Sequence, residues 1–483
     1  MPLISLLLLI MIASASHCQS PNERDIKWPE DIQVIFDNTL PLEYDLGDRL
    51  PLYLWPAIDP GEFDDETAVI LVRELGLRGI GLLSKWDWED PEKSLEKGIV
   101  IGKAQKKLGK RINIDAFSLL YSFYDNTEKT AHIDAKGNAF FDDSFGSRYN
   151  KMGCPFTLDF RKDSIRERLE YFLERYRQEG LHVDFIYADW EIDGPIEVNT
   201  AFESSLKCSR CLSHLGEDIG FDEFQKTMRE MRSYLQYYAY SEPVLYYFPD
   251  ALVGNYAVYP NDGYRYWYDY FEFFVDTHPH KTDQRAKYRK WYNDFPLTGY
   301  TFAMPVVYTW WKIFTWYDFE NFDYRWFYNM LLNASNAGKN TPSGIPVISF
   351  VHWNTVFAGS EPDPAIVQMS EQAYQELLWH MLLRGTNTFF MWGLKNQYPE
   401  EVRLLHEVWA AAQEYGDFLD KGWPITFDVP DKPGVVISGL ATGDRVLIRR
   451  TDFGEDHLPI EIRVGINPVM VEYAPGKCVI YEF

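Results

Sequence analysis

Eight short apolar runs, most of them followed by a longer amphipathic stretch, leave this chain few folds to choose from. The runs are PLYLW (51–55), RGIGLLSKWD (78–87), RINIDAF (111–117), VDFIYADWE (183–191), PVLYYFPD (243–250), GYTFAMPV (299–306), IPVISFVHWN (345–354) and TNTFFMWG (386–393). Helical patterns at 163–180, 222–237 and 363–384 lie between several of them, and the first opens on an Asp and closes on Gly180. Strand and helix in alternation predict a (β/α)8 TIM-like barrel over 21–424, an α/β fold that carries its chemistry at the carboxyl ends of its strands. The rival, an open doubly wound sheet, would carry a glycine-rich phosphate turn after its first strand, and no such turn is present.

After residue 424 the period changes. GVVISGL, RVLIRR, PIEIRV, PVMVEY and KCVIYEF are short strands with turn residues between them, which predicts a small antiparallel β domain, sandwich-like, over 425–483. At the other end, LISLLLLIMIASA (3–15) with Ala13-Ser14-Ala15 reads as a secretory signal over 1–20. It is too short for a bilayer anchor, and no membrane insertion is expected elsewhere. The expected location is secreted, extracellular or periplasmic. Lipid attachment at Cys18 is the weaker alternative, because bulky His17 precedes it where a small residue is wanted.

The formal charge of −25 repels phosphate backbones and excludes nucleic acid as a natural partner. Aromatic residues make up 17% of the chain, which suits sugar stacking but equally suits a core. The chain has no G-x-S-x-G, P-loop or H-E-x-x-H motif. Cys208-Ser-Arg-Cys211 followed by His214 offers too few ligands for zinc, so a local disulfide or a plain thiol pair is the expected reading. His278-Pro279-His280 is a weak metal signal, Asn333-Ala334-Ser335 is a glycosylation sequon, and no metal or cofactor is expected.

The fourth run ends in acid. Alternation places Asp189, Glu191 and Asp193 on one face and Trp190 on the other. Crowded like charges hold one proton tightly, which yields a general acid usable near neutral pH, and glycosidic cleavage is the chemistry that most often needs such a pair. A lone D-x-E is more often a strand running out into a solvated turn. Here other polar residues fall at the same expected end of the barrel: Lys85, Trp86 and Asp87 on strand two, Asp115 on strand three, Tyr246 and Asp250 on strand five, His352 and Asn354 on strand seven, and Trp392 on strand eight. Trp310, with Trp311, Trp316 and Tyr317 in the aromatic segment 307–322, is a candidate sugar platform, or else simply rim packing.

Three blocks in order resemble the hyaluronidases, glycoside hydrolase family 56. They are Asp189-Trp190-Glu191; Tyr246-Tyr247-Phe248-Pro249-Asp250 with Asn255-Tyr256; and Pro346-Val347 through His352, then Met369-Ser370-Glu371, then Phe390-Met391-Trp392-Gly393. The resemblance covers 183–256 and 345–394. It implies that Glu191 protonates the leaving oxygen and that Asp189 orients a substrate N-acetyl group acting as internal nucleophile. It also implies that Tyr246 hydrogen-bonds at the same centre and that Trp392 floors the sugar site. The chain departs from the family pattern at Ala303, where a strand-six Tyr is expected, at His352, which replaces an Arg, and at Ala251, which replaces a Cys.

The expected function is therefore a secreted glycoside hydrolase. Glu191, Asp189 and Tyr246 would be catalytic, and Asp193, Asp250, Trp392, His352, Asn354, Asp115, Trp86 and Trp310 would bind a polysaccharide, for instance an N-acetylhexosamine polymer such as a glycosaminoglycan. A sulfated or uronate-rich polymer without N-acetyl groups is a second substrate class, and it would need Asp189 or Asp250 as nucleophile. A non-catalytic carbohydrate-binding protein is the reading from another class, and the presence of Glu191 weighs against it.

Overall fold

A computed structural model describes residues 26–55, 63–120, 127–142, 152–190, 199–265, 289–290, 292–357, 362–393, 398–454 and 457–483. The leader, Cys18, Glu191, Asp193 and the 278–280 histidine pair lie outside the described residues. Eight parallel strands form a ring: β1 (Leu52–Trp55), β2 (Ile80–Gly81, resuming at Leu83–Lys85), β3 (Asn113–Asp115), β4 (Phe185–Ala188), β5 (Leu252–Asn255), β6 (Val306–Trp310), β7 (Val347–Val356) and β8 (Thr386–Trp392). Neighbours pair in parallel from β1 through β5 and from β6 through β8 back to β1. The remaining seam, β5 to β6, is closed just ahead of β6. There the Thr301 N–H donates to Val253 O, and Ala303 bridges to Val347.

The major helices outside the ring are α1 (Asp65–Leu77), α2 (Pro91–Lys107), α3 (Lys162–Gln178), α4 (Phe221–Gln236), α5 (Phe322–Asn340), α6 (Glu371–Leu382) and α7 (Tyr398–Ala412). Side chains cap the starts of three: Asp64 on α1, Asn321 on α5 and Ser370 on α6, each accepting from a backbone N–H three residues on. Gly180, beyond α3, adopts a left-handed φ of 65°, as the sequence pattern requires of a helix stop.

Aromatic rings fill the barrel. Tyr53 stacks on Phe185 with ring centroids 4.2 Å apart, Phe185 on Phe302 at 5.1 Å, and Tyr187 lies 4.3 Å from Phe390. Such bulk fits only where facing positions are small. A Cβ on Gly254 would come within 2.7 Å of the Phe302 ring, so this position on β5 admits glycine alone.

The fifth strand is not where the sequence suggests. Residues 242–247 are helical (Glu242–Tyr247), and the strand begins at Leu252. Tyr240, Val244 and Phe248 are buried at a spacing of four, which is helical periodicity; the run of β-formers hides it. The sequon is corrected as well. Asn333 is buried on α5, where its amide donates to the Val306 carbonyl and accepts from the Tyr259 hydroxyl, so it presents no glycan acceptor.

From residue 423 the chain is antiparallel. β9 (Trp423–Pro424), β10 (Val435–Thr442), β11 (Arg445–Asp452) and β14 (Cys478–Glu482) form one sheet in that order, and β12 (Ile460–Val464) pairs with β13 (Asn467–Val471) in a hairpin. Ala441, Val446, Ile448, Val464, Val469 and Val471 bury between the two layers. The larger sheet docks on the barrel through apolar and polar contacts: Leu440 and Leu447 bury with Leu383 and Phe418, and Phe453 packs on Tyr324 and Phe327 of α5. Arg449 makes a two-pronged bond to Glu376 of α6 at 2.6 and 2.9 Å, and Arg384 reaches Ser438 and the carbonyls of Asp428 and Ile437. Among the described residues no helix is long and apolar enough to cross a membrane.

Candidate active site

Side chains on a strand alternate, so the residues that fill the barrel interior set the phase for those at its mouth. On β4, Phe185 and Tyr187 face inward, and Asp189 is the next member of that series. On β3, Asn113 faces inward toward the Tyr53 hydroxyl at 3.4 Å, and Asp115 follows two residues later. By the same count Trp55 on β1, Lys85 on β2, Tyr256 just past β5, His352 and Asn354 on β7, and Trp392 on β8 meet at the carboxyl end. Strand pairing sets Lys85 beside Asp115 and Trp55 beside Trp392.

Asp115 is 3% exposed. Its Oδ2 accepts from Trp55 Nε1 at 3.1 Å and its Oδ1 from the Phe117 N–H at 2.9 Å. Burial pushes its carboxyl up to about 6, against the pull of those two donors and of Lys85. Asp189 stands at the end of the adjacent strand. Its Oδ1 is sealed from solvent and accepts no hydrogen bond among the described residues. Burial and the Asp115 charge together raise it to about 7. The next residue is pinned to β5, because the Trp190 N–H donates to Asn255 Oδ1 at 2.8 Å.

The opposite wall is aromatic and hydroxylated. The Tyr256 and Tyr308 hydroxyls lie 3.3 Å apart, Tyr308 approaches Trp392 at 6.0 Å, and Trp392 meets the His352 ring edge-on at 4.6 Å. His352 Nδ1 lies 2.8 Å from Glu401 Oε2, both side chains being buried. Glu401 belongs to α7. Its other oxygen accepts from the Trp353 N–H at 2.6 Å, and Asn354 Nδ2 donates to Oε2 at 3.3 Å.

Five of the expected site residues, Asp115, Asp189, His352, Asn354 and Trp392, are thus gathered at one end, and four lie elsewhere. Tyr246 is 71% exposed on the helix before β5, at the amino-terminal side of the ring. Asp250 sits in the turn before the same strand, lining a groove with Arg49, Arg111 and Thr386. Both are corrected by the helical reading of that run. Trp86 points out of the barrel, where it stacks on Phe172 of α3 at 5.2 Å and meets Tyr176 at 5.0 Å, because its neighbour Lys85 takes the inward phase. Trp310 is 4% exposed and packs against Trp311 in the wall, so it offers no stacking face.

Four residues of the site, Trp55, Tyr256, Tyr308 and Glu401, are not among the sequence candidates. Trp55 was in reach, two positions after an inward Tyr53. Tyr308 was hidden because strand six runs to residue 310 rather than 306; a phenol therefore stands at its carboxyl end although Ala303 holds the position aligned with the family Tyr. Glu401 comes from a helix and carried no signal.

No family model matches the chain, and no curated protein matches it. Among solved structures the chain is similar to an alpha-galactosidase from Geobacillus stearothermophilus (10% identity, 91% of this chain and 56% of that one, TM-score 0.43) and an alpha-amylase from Geobacillus thermoleovorans (10%, 89% and 96%, TM-score 0.40). It is also similar to bee venom hyaluronidase (12%, 61% and 83%, TM-score 0.29). The chain spans a little over half the length of the galactosidase. At such distances residue roles rest on the geometry of the barrel mouth.

Proposed function

We propose that this chain is a glycoside hydrolase cleaving a polysaccharide at the carboxyl end of the barrel, with Asp189 at its centre. The observation that carries the reading is a pair of neighbouring carboxyls at the barrel mouth, Asp115 buried and Asp189 half-buried, both held well above the usual carboxylate range. A substrate acetamido N–H donated to the part of the Asp189 carboxylate that faces the mouth would turn the amide oxygen toward the anomeric carbon, the substrate-assisted route. Glu191, two residues further along the chain, is proposed as the acid that protonates the leaving oxygen. Tyr256 and Tyr308 supply hydroxyls, and Trp392 an apolar face for the sugar ring.

Charge favours one substrate class. Among the described inward residues at the mouth the cation is Lys85, already bound to Asp87 at 2.7 Å, and it stands against the carboxyls of Asp87, Asp115 and Asp189. Such a mouth favours a neutral N-acetylhexosamine at the cleavage point over a sulfated unit. Export to the cell exterior, directed by the apolar segment 3–15, completes the proposal.

The test is reducing-end release from a glycan panel holding chitin oligomers, hyaluronan, chondroitin and a sulfated fucan. Turnover of an N-acetylated member, lost by at least 10²-fold in Asp189→Asn and Glu191→Gln, is the expected result. Variants as fast as wild type would overturn the residue roles. A covalent glycosyl adduct on an aspartate would favour a protein nucleophile, and binding without turnover across the panel would favour a lectin-like role.

A further inference from the structure

The long connection between β3 and β4 and the segment after β4 meet at a buried cluster that the barrel chemistry does not use. His132 lies in a small hairpin (His132–Ile133 with Ala139–Phe140), Cys154 follows that hairpin, and Cys208 and Cys211 come from beyond β4. All four are buried, and their ligating atoms lie within 4.8 Å of one another. Cys154 Sγ is 3.5 Å from Cys211 Sγ and 4.0 Å from Cys208 Sγ, and Cys211 Sγ is 3.7 Å from His132 Nδ1. None of these cysteines is in a disulfide.

We infer that His132, Cys154, Cys208 and Cys211 are the four ligands of a structural zinc ion. A tetrahedron with Zn–S bonds of about 2.3 Å has edges of roughly 3.8 Å, close to the 3.5, 3.7 and 4.0 Å between three pairs of these atoms, and no pair lies beyond 4.8 Å. Three soft sulfurs and one imidazole are the ligand set zinc prefers, and with four protein ligands the site is closed, as structural rather than catalytic zinc sites are. The surroundings fit too. His132 turns Nδ1 to the sulfurs and Nε2 to Asp142 Oδ2, 3.5 Å away and equally buried, which is the carboxylate–histidine arrangement that fixes a metal-bound imidazole. The Ile133 N–H donates to Cys208 Sγ at 3.3 Å, a bond that a thiolate accepts well.

A thiol pair, the simpler expectation from Cys208-Ser-Arg-Cys211, explains neither the third sulfur nor the histidine. His214, the nearby candidate, stacks on Phe156 at 4.3 Å and takes no part. The two missing ligands come from 132 and 154, too far upstream for spacing to reveal. Binding a Zn2+ ion expels the three thiol protons to solvent and leaves the imidazole neutral. The ion would tie the connections that follow Asp115 and Asp189 to each other, and so hold both sides of the acid pair.

The full chain, expressed without an affinity tag in zinc-supplemented medium and purified without chelator, should carry about one zinc per chain by plasma mass spectrometry. After chelation, Co2+ should restore a one-to-one complex with sulfur-to-metal charge-transfer absorption and the intense visible bands of a tetrahedral site. Asp142→Asn, which keeps every ligand, should weaken zinc affinity 10–100-fold. Cys211→Ser should abolish the cobalt spectrum if it folds; the wild-type measurements stand without it. Negligible zinc together with no cobalt absorption would overturn the inference. So would stoichiometric iron in place of zinc, or a disulfide among these cysteines in protein alkylated without reductant.

Discussion

Asp115 and Asp189 end adjacent parallel strands, and the charge on Asp115 raises the proton affinity of Asp189. The two therefore titrate as a pair, with Asp115 at about 6 losing its proton before Asp189 at about 7. Their asymmetry has a structural source: Asp115 has two donors, while Asp189 Oδ1 has none among the described residues.

If ionised Asp189 is the acceptor for a substrate N–H, kcat/KM should climb with pH along a limb near 7. Removing the neighbouring charge in Asp115→Asn takes away one of the two causes that raise Asp189, so that limb should move to lower pH. A kcat/KM profile from pH 4 to 9 on a soluble N-acetylated oligosaccharide reads the shift. An unmoved limb would separate the two acids.

Stability should run the other way. A carboxyl raised from an ordinary value near 4 binds its proton more tightly when folded. Its favourable contribution is present at low pH and is lost as pH rises through the folded value. Asp189→Asn should therefore stabilise the chain at pH 8, with a contribution on the order of 2–4 kcal/mol, and the gain should vanish near pH 4. Melting temperatures of both proteins across that range would show the crossing, and a variant less stable than wild type at pH 8 would contradict it.

How far the sequence discloses the site depends on strand phase. Where a strand holds an unbroken run, as at Phe185 and Tyr187, counting by twos lands on Asp189, and the same count on β3 lands on Asp115. A slip of one residue is fatal, and it separates Trp86 from the inward Lys85 beside it. Phase is lost altogether where a helix is written in strand-forming residues, as at Glu242–Tyr247, and Tyr246 and Asp250 went with it. Contacts between distant segments, such as His352 with Glu401 or Cys211 with His132, leave no local period to read.

The two tryptophans offer a direct contrast. Trp86 is fully buried against α3, so Trp86→Ala should destabilise by about 3–5 kcal/mol and leave KM unchanged in the protein that folds. Trp392, half-buried at the mouth, should behave oppositely. Its loss should raise KM by roughly 5–10-fold, the equivalent of about 1 kcal/mol of ring stacking, with little change in melting temperature. Thermal melts and Michaelis curves on the two variants make the comparison.

Among the contacts that hold the antiparallel sheet to the barrel, one buried charge pair tests whether the sheet is an independent module. The Arg449 and Glu376 side chains are 5% and 7% exposed, and Thr451 adds a further bond to the same carboxylate. Arg449→Met would strand a buried Glu376 charge, at a penalty of about 3–5 kcal/mol. Glu376→Leu combined with Arg449→Met removes both charges and should recover most of that loss, since an apolar pair of similar volume replaces a buried ion pair with little change in stability. Urea unfolding of the two variants against wild type distinguishes the outcomes. If the sheet unfolded at its own midpoint without affecting the barrel, the interface would be only a tether. One cooperative transition, shifted in the single variant and restored in the double, is expected instead, because Glu376 sits on α6, whose residues pack directly into the barrel core.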